Sequence, residues 1–391
     1  MKTSTDRFLT THVGSLPRSQ AVVDVLFARD RQAVTDEAAA SAVITDAVRD
    51  VVRRQAETDI DVVSDGEMSK ISYATYIKDR LTGFAGDTPR EPGQDLVEFP
   101  RILKKLADLG ATARYTRPRC VGEIRVKSME PALADIANMK DAISAAKPTE
   151  AFINAASPGV IALFQPNDYY NSQDDYLDAV AEAMRAEYET IVGSGLLLQI
   201  DAPDLAMGRH TMYRDRRVEE FLRRVELHIE VLNHALRNTP ADRLRMHVCW
   251  GNYEGPHHHD VPLQQLLPVV LKAKPQALLI EGANPRHSHE WAVFADQKFP
   301  DDKILVPGVI SSTTNYVEHP LLVAERIGRY AELVGRERVI AGSDCGFGTF
   351  AGFGPVDPDV TWLKLRALAE GARIASERHW AGPSKAPREA R

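Results

Sequence analysis

The chain has 391 residues, 44% hydrophobic and 26% charged, which is the balance of a globular protein with a sizeable core and excludes wholesale disorder. A formal net charge of −7 leaves no basic face for a nucleic acid, and no apolar run reaches the roughly 18 to 20 residues that span a bilayer. Three cysteines (Cys120, Cys249, Cys345) are too few for a disulfide scaffold, and the amino terminus lacks an apolar leader, so a cytoplasmic location is expected.

In chain order, FLTTHVG (8–14) predicts a first strand. Residues 35–58 predict a helix, with a Thr/Asp cap and Val43, Ile44, Ala47, Val51 and Val52 on one stripe. IDVVSD (60–65) is the second strand. Residues 84–150 then break the pattern with a Pro/Gly/Asp loop, a short helix (100–109), a strand-like stretch (112–126) and a further helix. Regular alternation returns with strands at 151–157, 196–202, 244–250, 277–283, 303–310 and 338–344. Helices are predicted at 173–193, 216–238, 262–273, 320–335 and 358–379, with Pro262 and Pro320 in the first turns of two of them. Eight apolar strands with helical spacers predict an α/β fold, a (β/α)8 TIM barrel, as a single domain over 1–380. Residues 84–150 are an excursion inserted between the second and third strands, and 381–391 a disordered tail. An open doubly wound sheet is the competitor, but no GxGxxG follows the first strand.

Function in such a barrel sits at the carboxyl ends of the strands. Those ends carry Ser15, Asp65-Gly66-Glu67, Asp201, His247 and Cys249, Glu281, and Asp344-Cys345. Two thiols, an imidazole and a carboxylate (Cys249, Cys345, His247, Glu281) are a donor set suited to tetrahedral Zn²⁺. His247 and Cys249, two apart on a strand, share a face. Cys120 is left as a core residue. His257, His258 and His259 are read as a loop flanking the mouth, because three consecutive residues of a single loop are not expected all to converge on one ion. Asp65 and Glu67 could bind a substrate ammonium or move a proton, or else cap a helix. Asp201 lies at the mouth, and Arg18 is a candidate receiver of an anionic group. Tyr73, Tyr76, Trp250 and Tyr253 are candidate mouth-lining aromatics, with core packing as the alternative.

Six segments, THVGSLPR, SDGE, QIDAPDL, HVCWGNYEG, LLIEGANPR and AGSDCGFG, resemble in this order the catalytic barrel of cobalamin-independent methionine synthase and its shorter relatives, over about residues 8–378. The resemblance implies His247, Cys249, Glu281 and Cys345 as zinc ligands. It places Ser15 against the substrate carboxylate, and Glu67 and Asp201 at the amino group of homocysteine. Two departures stand out. The full-length synthases carry an additional amino-terminal half for polyglutamylated folate, for which this chain has no room. Their D-x-H after the seventh strand reads Ser311-Ser312-Thr313 here, so Thr313 stands in place of a histidine.

A sulfur-rich zinc site keeps a bound substrate thiol deprotonated and nucleophilic, whereas hydrolytic zinc suits nitrogen-rich ligand sets. The expected activity is therefore zinc-dependent S-alkyl transfer, chiefly methyl transfer, to a thiol that displaces or joins the catalytic ligand Glu281. The expected partners are a small thiol and an alkyl donor, a corrinoid among the candidates. The alternative is an epoxide-opening thiol transferase resembling epoxyalkane:coenzyme M transferase. A zinc storage protein and a metal-free barrel of the uroporphyrinogen decarboxylase kind account less well for an open pocket beside the H-x-C…E…C set.

Overall fold

The computed structural model describes residues 1–89, 91–108 and 115–380; the predicted tail 381–391 lies outside them. Two helices open the chain, α1 (Gln20–Asp30) and α2 (Glu37–Glu57), ahead of β1 (Val62–Ser64). The excursion contributes β2 (Phe84–Ala85), α3 (Gln94–Val97), α4 (Pro100–Leu106), β3 (Arg119–Cys120) and α5 (Glu130–Ala146). The alternation resumes with β4 (Glu150–Ala156), α6 (Pro158–Phe164), α7 (Gln173–Gly193), β5 (Leu197–Asp201), α8 (Val218–Ala235) and β6 (Leu244–His247). It continues through α9 (Leu263–Val270), β7 (Ala277–Ile280), α10 (Val293–Asp296), β8 (Ile304–Ile310), α11 (Pro320–Val334), β9 (Gly342–Ser343) and α12 (Pro358–Trp380).

Seven strands form one parallel sheet in the order β1-β4-β5-β6-β7-β8-β9. The predicted first strand, 8–14, contributes isolated parallel bridges, Thr10 to Ala341 and Thr11 to Val62. Its backbone bonds run both ways: Thr11 N donates to Ala341 O at 2.8 Å, and Val62 N donates to Thr10 O at 3.0 Å. It therefore lies between β9 and β1 and joins the two ends of the sheet into a ring. The expected barrel is present, with its first member narrowed to a seam.

Side chains alternate across this ring with the strand period of two. One set packs outward beneath the helices, as Ile153, Leu198, Ile200 and Met246 do. The other fills the barrel: Leu9, Val13, Ala277, Leu279, Ile304, Val306 and Ile340 form a separate inner cluster. Beside them lies a polar layer centred on buried Arg245, which donates to Gln199 Oε1 at 2.8 Å, Thr11 Oγ1 at 3.0 Å and His12 O at 2.8 Å. Its guanidinium also stands 3.8 Å from the Phe152 ring centre, so each guanidinium nitrogen has an acceptor, although burial still pulls its pKa down to about 9.

The excursion differs from expectation. Its strand-like stretch pairs only over β3, antiparallel to β2, because Pro118 and Gly122 bracket it and neither sustains a ladder; residues 112–114 lie outside the described ones. Helices α1 and α6 went unpredicted, although each has a serine cap: Ser19 accepts from Val22 N and Ser157 from Val160 N. Pro262 is the residue before α9 rather than in its first turn. No helix among the described residues is long and apolar enough to cross a membrane.

Candidate functional site

At the carboxyl ends of the strands a cavity of about 280 Å³ opens. Its floor carries His247, Cys249 and Cys345, and its wall Ser15, Glu67 and Asp201. The register explains the grouping: Asp201 pairs with His247 across β5 and β6, and Cys249 follows His247 on the same face.

The donor atoms of His247, Cys249 and Cys345 all lie within 4.8 Å of one another. The two sulfurs are 3.7 Å apart. A disulfide would need about 2.05 Å, whereas two sulfurs bound tetrahedrally at about 2.3 Å lie about 3.8 Å apart. Neither ring nitrogen of His247 has a hydrogen-bond partner, although the residue is 3% exposed. An imidazole orphaned beside two thiols is costly unless something else satisfies it, so these residues fit a zinc ion. The thiols are electrostatically unequal. Cys345 beside Cys249, helped by His247, holds the Cys249 thiol below its ordinary pKa, while Cys249 and burial push Cys345 well above the usual range.

Glu281 stands slightly apart and is not among the three mutually close donors. Its Oε1 accepts from Trp250 N at 2.9 Å. Its Oε2 accepts from Asn284 Nδ2 at 2.8 Å and from Arg286 Nη2 at 2.6 Å. Burial pushes this carboxyl up, but Arg286 and then His287 outweigh it and hold it below the ordinary range. Asp344, before Cys345, takes backbone N–H donors from Gly282, Ala283 and Asn284 at 2.7–2.9 Å, so the loop after β7 wraps around one carboxylate.

On the wall, Asp201 accepts from Asn154 Nδ2 and from Gln199 Nε2, both at 2.9 Å. Glu67 is different: its Oε2 is buried with no hydrogen-bond partner, and burial, then the Asp201 charge, raises its pKa. Its backbone is left-handed (φ 57°), directly after Gly66 at φ 66°. Such a conformation costs a side-chain-bearing residue about 1–2 kcal/mol, and strain held in place at a cavity wall is a mark of functional positioning. Asp65 caps this turn, accepting from Glu67 N at 2.9 Å. Ser15 sits between the Gly348 N–H, which donates to its Oγ at 3.4 Å, and Gly346, where an added Cβ would fall 2.0 Å from that oxygen.

Arg18 is not on the cavity wall. Its guanidinium lies behind Glu67 and donates to the carbonyls of Glu67 (2.9 Å) and Gly348; it stands 3.9 Å from the Glu67 carboxylate. Tyr73 and Tyr253 line the cavity. Tyr76 instead bonds Glu187 in the core at 2.8 Å, and Trp250, fully buried, donates its indole N–H to Val261 O at 2.7 Å. Cys120 is buried between β3 and its neighbours, as expected of a core thiol. Thr313 bonds Ser311 Oγ at 3.3 Å, and Ser312 reaches Asn252 Oδ1 at 2.8 Å. The triplet 257–259 divides. His257, left-handed at φ 52°, turns inward, stacks on Tyr253 at 4.1 Å and lies 3.2 Å from Asp260; His258 and His259 both reach Glu98 on the outside, so the three do not all converge.

The model of the "Cobalamin-independent synthase, Catalytic domain" family matches residues 8–91. Over 373 residues the chain is 25% identical to the methionine synthase of Saccharolobus solfataricus, covering 94% of this chain and 95% of that protein. This chain is similar to the cobalamin-independent synthase catalytic domain. The methionine synthase of Sulfolobus acidocaldarius is also 25% identical, over 338 residues, 86% of this chain and 85% of its own length. The fold agrees with a solved B12-independent methionine synthase from Shewanella sp. W3-18-1, in complex with selenomethionine, at a TM-score of 0.71 and 18% identity, covering 96% and 99% of the two chains. A putative vitamin-B12 independent methionine synthase from Listeria monocytogenes superposes at 0.65, again 18% identical, over 94% and 98%.

The residues that organise the site from behind were missed by sequence reasoning. Arg286 joins Glu281 to Asp260 (3.5 Å). Asp260 in turn lies 3.4 Å from His287, whose other nitrogen is 2.7 Å from Glu290. Burial opposes charge on His287, but Asp260 and Glu290 raise its pKa to about 10. Arg286 falls inside LLIEGANPR and was available as a signal; His287 and Asp260, in loops, were not.

Proposed function

We propose that the chain transfers a methyl or small alkyl group to the sulfur of a small amino-thiol, using Zn²⁺ held by His247, Cys249, Cys345 and Glu281. One observation carries this reading: three soft and borderline donors converge on the floor of a cavity whose wall presents Glu67, with its Oε2 free of any hydrogen bond. The methionine synthases to which the chain is similar support methyl transfer to a thiol.

Zinc, when bound, supplies the positive charge that keeps a substrate thiol ionised at neutral pH. The chain's own residues do the rest. Glu67 Oε2, with Asp201 beside it, offers acceptors to a substrate ammonium, and Ser15, on the same wall, would meet its carboxylate. Glu281, tethered by Arg286, Asn284 and Trp250, would be the fourth residue to hold the ion, and its carboxylate keeps these three donors with or without it. Leu96, Leu103, Leu106, Phe350 and Phe353 give the outer cavity an apolar wall that excludes water from the attacking sulfur. As sulfur attacks, the S–C bond forms and the donor's bond to carbon breaks, its electron pair leaving with the donor.

The same apolar wall keeps a second reading alive, in which the electrophile is a small epoxide. Zinc-edge X-ray absorption of the protein with homocysteine, coenzyme M or glutathione tests both. Gain of one sulfur neighbour with homocysteine alone supports the first reading, and with coenzyme M alone the second. No change with any thiol, or zinc retained in full in C345S with an undiminished number of sulfur neighbours, overturns the site.

A further inference from the structure

Away from the cavity floor, His258 and His259 both reach one carboxylate. His258 Nε2 lies 2.7 Å from Glu98 Oε2, and His259 Nε2 lies 2.7 Å from Glu98 Oε1. One donor atom from each residue falls within 4.8 Å of the others. The two imidazoles stack with centroids 4.1 Å apart, and Phe99 meets the His258 ring edge-on at 5.7 Å. The left-handed residue His257 is what sends its own ring inward and leaves the next two outside.

We propose that Glu98, His258 and His259 form a second, solvent-accessible site for a borderline divalent cation such as Zn²⁺ or Cu²⁺. Three convergent N/O donors are a ligand set such ions accept, with water completing the shell. Bond lengths of about 2.0–2.2 Å set the donors of a tetrahedral ion about 3.3–3.6 Å apart, so the two 2.7 Å nitrogen–oxygen contacts must open by about 0.6–0.9 Å, which these side chains, 28–42% exposed, can do. The competing occupants are two protons. Protonating both rings sets two positive charges side by side at stacking distance, whereas one cation satisfies all three donors at once.

The site's position gives it a consequence. Glu98 ends α3, in the excursion whose Leu96, Leu103 and Leu106 roof the cavity, while the histidines belong to the loop after β6. A cation there ties the roof to the barrel.

The test uses the full chain after chelation. Calorimetric titration of C249S/C345S with Zn²⁺ should give one equivalent per chain, and Cu²⁺ should give an electron paramagnetic resonance spectrum with nitrogen couplings. Adding H258A and H259A should weaken binding at least tenfold and abolish the nitrogen signal. Should C249S/C345S fold poorly, the wild-type chain serves, since its second equivalent should vanish in H258A/H259A while its sulfur-bound metal stays. Zn²⁺ should also raise the melting temperature of C249S/C345S, and not of the version lacking the two histidines. A missing equivalent, or one indifferent to H258A/H259A, overturns the proposal without touching the cavity site.

Discussion

Replacing Arg286 by Met tests the electrostatic design behind the cavity floor. The pair it makes with Glu281 is 2.6 Å long, with side chains 18% and 2% exposed. Removing one partner of such a pair strands the other as a buried charge and typically costs about 3–5 kcal/mol. Glu281 keeps the Trp250 and Asn284 donors, which places R286M near the lower end, about 3 kcal/mol, or about two decades in the folding equilibrium. The pH dependence has a definite sign. In the native chain Glu281 has a lowered pKa, so its stabilisation is present above the ordinary glutamate pKa and is lost as pH falls through the lowered value. In R286M burial acts unopposed by Arg286 and the carboxyl rises, so the penalty is largest at neutral pH and shrinks in acid as Glu281 takes up a proton. Urea denaturation with chelator present, at neutral and mildly acidic pH, measures this. The double variant E281Q/R286M should recover most of the loss, because no charge is left stranded. A loss below about 1 kcal/mol, or one independent of pH, would refute the account.

Three further outcomes are expected. E67Q should raise KM for an amino-thiol at least tenfold and leave a thiol without an amine little affected, in steady-state assays. Since the raised Glu67 pKa makes the native chain lose stability as pH climbs above the ordinary glutamate value, E67Q should also flatten that part of the stability profile. His12 is buried and neutral, bonded to Gln55 Oε1 at 2.7 Å, and burial lowers its pKa from 6.5 to about 4. Stability should therefore fall by up to about 3 kcal/mol as pH drops through that interval, and H12Q should lack this component in pH-dependent melting. G308A would place a methyl 2.1 Å from Asp344 Oδ1 and 2.7 Å from its Cα; backbone cannot give way there, so a loss of about 2 kcal/mol or more is expected in denaturation.

What the sequence could and could not disclose follows from locality. Strand ends are local, so His247-x-Cys249, Glu281 and Cys345 could be placed on one face by counting residues. Trp250 illustrates the limit of the same rule: one residue past Cys249, alternation carries it to the opposite face and into the core. For Arg18, nothing nearby in sequence shows that the carbonyls of Glu67 and Gly348 claim its guanidinium. Arg286, Asp260 and His287 meet through loops whose course depends on the packed barrel, and His258 and His259 meet Glu98 across about 160 residues of chain.

The seam between β9 and β1 has a consequence for how the protein can fail. The segment at 8–14 carries Ser15 at its tip and supplies the pairing that both flanking strands would otherwise lack. Deleting it would open the ring into a seven-stranded sheet with two bare, apolar margins, the kind of surface that recruits strands from other chains. Losing these few residues should therefore end in aggregation, with the cavity destroyed as a by-product.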